Sequence, residues 1–167
     1  PRDLLRALAA ASPRVALDLQ RTREALPAEE VEEPRSAATL IEALDWHAAA
    51  HPQRVHITLL EEEEAAETLT YGALAAEARA VAGALADRGL EPGQAVAIML
   101  PTGRDFFLAF FGTLLAGGVP VPIYPPLGWT QIEEHLRRQA GILANCAAPL
   151  LVTVARAQAI ARLLQAQ

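Results

Sequence analysis

From Thr39 onward the apolar positions follow two periods in turn, one helical and one strand-like, and glycine or proline marks nearly every change. Thr39-Leu40-Ile41-Glu42 is a capping-box pattern that opens a helix running to about His51 and stopping at Pro52. Val55 to Leu60 reads as a strand, Glu61 to Glu67 as a solvated acidic loop, and Thr68 to Tyr71 as a returning strand. Leu74, Ala78, Val81, Ala82 and Leu85 share one helical face. That helix ends with Arg88 in its last turn, Gly89 at the left-handed C′ position and Leu90 folding back as C″. Ala95 to Leu100 is unbroken apolar sequence, as in a strand covered on both faces. A helix from about Asp105 to Ala116 follows, then Gly117-Gly118 and a strand over Val119 to Ile123. Thr130-Gln131-Ile132-Glu133 opens a further helix with Leu136, Ala140 and Leu143 inward. Leu150 to Val154 is a strand, and Ala155 to Gln167 has helical spacing through Ile160, Leu163 and Leu164.

Strands alternating with helices predict an α/β fold: a mostly parallel sheet flanked by helices, preceded by a β-hairpin. Residues 37–167 form this unit. Residues 1–36 read as an appendage ending in an acidic, proline-bracketed linker between Glu24 and Pro34. One strand carries a sharper constraint. Alternate residues of a strand turn their backbone groups to opposite neighbours, so Pro120 and Pro122 remove donors from the same side. The Val119–Ile123 strand is therefore expected at an edge, or beside something other than a regular strand.

Composition narrows the classes. The net charge of −6 disfavours nucleic acid, and all 14 basic residues are arginine, so this chain cannot supply a phosphate-binding lysine. The longest apolar stretch, Phe106 to Ile123, is broken by glycines and prolines and is no membrane span. The one cysteine, Cys146, rules out an internal disulfide and suits a reducing cytoplasm.

Candidate chemistry is sparse. All 4 phenylalanines, Phe106, Phe107, Phe110 and Phe111, fall on one helix. Their plain reading is a helix packed on the sheet; the functional reading is that one edge lines an apolar substrate channel. Ile123, Tyr124, Pro125 and Pro126 form a stiff exit from the strand, either a rigid turn or a wall of a substrate cavity. Gly103 and Gly117-Gly118 make no Gly-x-Gly-x-x-Gly or Walker loop and read as turns. His47 and His51 have the i,i+4 spacing of two zinc ligands but no evident third ligand, so packed or solvated histidines are favoured. Cys146, near a helix C-terminus, reads as a buried, inert thiol. No catalytic, cofactor-binding or metal-binding residue is assigned.

Several of these segments, in order, resemble the adenylate-forming superfamily. Thr39-Leu40 with His51-Pro52 is similar to its entry helix, and Leu69-Thr70-Tyr71 with Leu74 to its Leu-Thr-Tyr-x-x-Leu signature. Gly89-Leu90, Pro92-Gly93 and Val96 match a second passage, with Gln94 where aspartate is frequent. Ala116 to Pro122 resembles the Ala-Gly-x-Val-x-Val-Pro strand entry, and the Tyr124-Pro125-Pro126 ending looks most like fatty acyl-AMP ligases.

The resemblance implies the N-terminal subdomain of a longer enzyme using ATP and Mg2+. A fatty carboxylate would attack the α-phosphate, and the acyl group would pass to an acyl carrier protein, or to coenzyme A in the sister group. It implies that the ATP-holding parts lie in the remainder of the same polypeptide, so the 167 residues alone bind no cofactor and are inactive. The uncapped end at Gln167 fits that expectation. Two alternatives stay open: a fragment of an acyl-CoA synthetase, and a non-enzymatic α/β interaction module.

Overall fold

The computed structural model describes residues 33–61, 64–124 and 132–155. The chain divides into two units, Pro1–Arg35 and Ser36–Gln167; the architecture below belongs to the second. In chain order it runs α1 (Leu40–Ala50), β1 (Val55–Glu61), β2 (Glu64–Thr70), α2 (Tyr71–Ala86), β3 (Ala95–Met99), α3 (Arg104–Leu115), β4 (Val119–Pro122), α4 (Ile132–Cys146) and β5 (Leu150–Thr153).

β3 is the centre of a parallel three-stranded sheet of order β4-β3-β5. All five of its residues are buried. Alternation sends Val96, Ile98 and Leu100 to one face, where they meet Leu85, Ala109, Phe106 and Phe110 of α2 and α3. Ala97 and Met99 go to the other, with Val121, Ile123, Leu151 and the α4 residues Ala140 and Leu143. The sheet is thus sandwiched between the α2–α3 pair and α4. A third cluster builds outward from the helical pair: Leu44 of α1, Leu69 of β2, and Leu74 and Ala75 of α2 pack with Ile57, Phe107 and Phe111.

Helix ends are set by the residues their chemistry requires. The Thr39 hydroxyl accepts from the Glu42 amide at 3.1 Å. The Glu42 carboxylate reaches back to the amide of Ala38, one residue beyond the usual capping-box partner. α2 closes in a Schellman motif: Leu90 N–H donates to the Leu85 carbonyl and Gly89 N–H to that of Ala86, with Gly89 at φ 85°. α3 repeats the motif, with Gly118 donating to Thr113, Gly117 to Leu114, and Gly117 at φ 77°.

β4 is an edge strand among the described residues, as the two prolines require. Val119 N–H donates to Gln94 and Ile123 N–H to Ile98, so the odd positions face β3 while Pro120 and Pro122 face away. The hairpin departs from expectation. The described part of the acidic run is strand: Leu59 pairs with Glu67, Leu60 with Ala65, and Glu61 with Glu64. Tyr71 opens α2 instead of ending β2, because the Thr70 hydroxyl caps that helix through the Ala73 amide. The expected Thr130 cap, and all but the first residue of the helix expected over Ala155–Gln167, lie outside the described residues.

Candidate functional site

The order β4-β3-β5 contains a reversal. The chain steps from β3 to β4 on one side, then crosses back past β3 to β5 on the other. α3 and α4, the two connecting helices, cover opposite faces of the sheet. In open α/β sheets ligands lie beyond the carboxyl ends of the strands, near such a switch point. Here that edge gathers Leu100 to Gly103 after β3, Ile123 and Tyr124 after β4, and Val154 after β5. Thr153 stitches the edge together, its hydroxyl donating to the Met99 carbonyl at 3.1 Å. Ile123 is buried, whereas Tyr124 is 80% exposed.

The phenylalanines of α3 divide between two packing groups. Phe106 and Phe110 stack with ring centroids 6.3 Å apart and pack toward the sheet. Phe107 and Phe111 face the cluster of α1 and the hairpin. All four are half-buried, and the fully buried residues of α3 are the small ones, Ala109, Gly112 and Thr113. Helix contact explains this. A Cβ on Gly112 would sit 2.7 Å from Val81 Cβ and 3.0 Å from the Ala78 carbonyl, so α2 and α3 touch along small residues and the rings splay to either side.

The structure therefore does not bring the phenylalanine helix and the strand exit together as one wall. Phe106 and Phe110 lie on one face of the sheet and Ile123 on the other, a consequence of period-2 alternation that the one-dimensional pattern hides. Pro125 and Pro126 lie outside the described residues.

Two features had no signal in the sequence. Arg104, the first residue of α3, forms a two-bonded pair with Glu77 of α2 and a 2.7 Å bond to Glu67 of β2. Hydrogen bonds to Glu77 first, then Glu67, raise its pKa further above the ordinary arginine value. The partners are 27 and 37 residues away in sequence, beyond any local spacing rule. The second is an aromatic stack. The Tyr71 ring lies 4.4 Å from His47 and 4.2 Å from His56, nearly parallel to both. Trp46 meets the edges of His47 and His51. His47 and His51 are thus packed among aromatic rings, and among the described residues no cluster of three His, Cys, Asp or Glu side chains could hold a metal. Half-buried Cys146 directs its thiol to the Leu143 carbonyl at 3.5 Å.

Among the described residues, the carboxyl edge offers apolar walls, the exposed phenol of Tyr124 and no group placed to move a proton. Arg104, a cation near this edge, is held by two carboxylates. Such a surface can position an apolar group. No helix of the described residues is long and apolar enough to cross a membrane.

Relatives give the fold its family. Residues 44–167 match the model of the AMP-binding enzyme family. The chain is 37% identical over 110 residues to nonribosomal peptide synthetase 7 of Aspergillus fumigatus, covering 66% of this chain and 4% of the relative. It is 36% identical over 89 residues to the long-chain-fatty-acid–AMP ligase FadD32 of Mycolicibacterium smegmatis, covering 53% of this chain and 13% of that protein. The solved fatty acyl-adenylate ligase from L. pneumophila, in complex with acyl adenylate and pyrophosphate, superposes with a TM-score of 0.67 at 30% identity. That match covers 75% of this chain and 21% of the ligase, so the chain spans about a fifth of its structural relative and less of its sequence relatives. With its α/β layers matched and most of its length inside the family model, the chain belongs to the AMP-binding enzymes.

Proposed function

We propose that this chain is the N-terminal part of a cytoplasmic, ATP-dependent fatty acid–AMP ligase. In that reaction a fatty carboxylate oxygen attacks the α-phosphate of ATP, pyrophosphate leaves, and an acyl-adenylate remains. The acyl carbon then passes to the phosphopantetheine thiol of an acyl carrier protein, and AMP departs. The observation that carries this reading is the likeness, at 30% identity over 75% of the chain, to a ligase solved with acyl adenylate and pyrophosphate. The tyrosine-proline-proline exit from β4 supports the fatty acyl branch.

The contribution assigned to this chain is scaffold and wall. The described residues do not fit a triphosphate–Mg2+ site: they offer no glycine-rich loop, no lysine and no three-carboxylate cluster. No step is routed through them. Ile123 and Tyr124, with Pro125 and Pro126 beyond, are assigned to the border of the acyl cavity. Phe106, Phe107, Phe110 and Phe111 set the position of α3 against its neighbours, with any channel role confined to their exposed edges.

A second reading, a segment of a peptide synthetase, is favoured by the 37% identity over 110 residues to that class. ATP–pyrophosphate exchange on the protein encoded by the complete reading frame separates the two. Exchange stimulated by fatty acids, and a Tyr124→Ala variant with altered chain-length preference, is the expected result. Exchange driven by amino acids alone would overturn the fatty acyl assignment. Thioester formation on coenzyme A in place of a carrier protein would overturn the acceptor.

A further inference from the structure

Three elements meet at Tyr71. His47 comes from α1, His56 from β1, and Tyr71 is the first residue of α2. Both imidazoles are nearly parallel to the phenol, at 15° and 22°, which places them on its opposite faces, since two rings cannot share one face at those separations. The arrangement is built into the backbone. The β1–β2 register slips between Val55↔Thr70 and Ile57↔Leu69, leaving His56 as the extra residue of a bulge that turns it toward Tyr71. The Tyr71 amide donates to the Arg54 carbonyl and the Gly72 amide to that of Pro52. A Cβ on Gly72 would lie 2.8 Å from that Pro52 oxygen, so the ring is pinned at its root.

On the α1 side this junction does not welcome a proton, whereas His56 is exposed and meets water on its outer side. His47 Nδ1 and His51 Nε2 are buried and have no hydrogen-bond partner, whereas an imidazolium needs an acceptor for each N–H. The titratable and charged groups that face the stack are His51 and Arg54 from the α1–β1 turn, and the two histidines across the phenol from one another. Asp45 of α1 is engaged by Arg79 of α2. No carboxylate is hydrogen-bonded to His47 or His56 among the described residues. The phenol face attracts one cation, but two cations on opposite faces share that one ring and repel. Burial first, then the nearby positive groups, hold both histidines below the ordinary imidazole range.

We propose that the His47–Tyr71–His56 sandwich is an acid-sensitive clasp that, beside the buried Leu44, Leu69 and Leu74, fastens α1 and the hairpin to the start of α2 and loosens that junction when both imidazoles are protonated. The sheet does not share in the loosening, because β3, β4 and β5 contain no histidine. The clasp concerns the junction alone and stands whether or not the fatty acid reading holds.

Hydrogen exchange with mass spectrometry on the full chain tests it, at about pH 7.5 and about pH 5.2 and corrected for intrinsic rates. Peptides covering Leu40–Ala50 and Val55–Glu61 are expected to exchange about fivefold faster in acid, while those covering Ala95–Met99 keep their protection. The double variant His47→Phe, His56→Phe keeps a ring on each face but cannot take a proton, and its exchange is expected to be independent of pH. Equal protection of α1 at both pH values, or a pH response that survives in a folded double variant, overturns the clasp. Should that variant not fold, imidazole NMR titration of the unaltered chain decides: His47 and His56 titrating below free histidine, together with the exchange change, supports it. Titration at or above the free value overturns it.

Discussion

At the scale of single residues, empty space decides which glycines matter. Gly83 and Gly112 lie inside neighbouring helices, yet a Cβ on Gly83 meets nothing within 4 Å while one on Gly112 runs into Val81 and the Ala78 carbonyl. Helix propensity alone favours alanine at both positions by about 1 kcal/mol. Gly83→Ala is therefore expected to stabilise by roughly 0.5–1 kcal/mol, and Gly112→Ala to destabilise by about 1–3 kcal/mol through overpacking. Urea unfolding of the two variants checks both signs. The sequence marks both glycines as weak points of a helix, but only the crossing of α2 and α3 tells them apart. The phenylalanines show the same limit: their helical spacing announces a buried stripe, and small residues between them take the deepest positions instead. Because Phe110 is half-buried, Phe110→Ala is expected to cost about 2–3 kcal/mol, less than the ~3–5 kcal/mol of a fully enclosed ring.

At the scale of elements, local chemistry made most boundaries readable. The caps at Thr39, Gly89 and Gly117 and the broken ladder of β4 follow from residue types within a few positions. What could not be read were decisions taken between distant segments. The glutamate run joins a strand because Leu59 and Leu60 supply a partner for it, and its Glu67 meets α3 through Arg104. That arginine ties the hairpin, α2 and α3 at one point, but its side chain is 30% exposed and its partners 41–42% exposed, so water weakens the pairing. Arg104→Met is expected to cost about 1 kcal/mol or less, with the difference shrinking in high salt. Unfolding of both proteins at low and high sodium chloride checks it.

At the scale of the whole molecule, the fold was legible from alternation alone, while the candidate site was legible only in part. Ile123 and Tyr124 stand at the carboxyl edge as their position after a strand demands. Their separation from the phenylalanines depends on which face each side chain takes, and periodicity gives no phase between elements. Global stability should also depend on acidity, with a sign set by the histidines. His47 and His56 bind protons less readily folded than unfolded, so their contribution is complete above the free value near ~6.5, falls as pH drops through it, and levels off below the folded values. The denaturation midpoint is expected to be lower near pH 5 than near pH 7.5, with a smaller difference once both histidines are phenylalanine. The rim of β4 has a consequence of its own. With only lone pairs on that flank, two copies laid rim to rim would confront oxygen with oxygen, so the sheet cannot lengthen by self-addition there. Any neighbour that settles against it must bring the hydrogens.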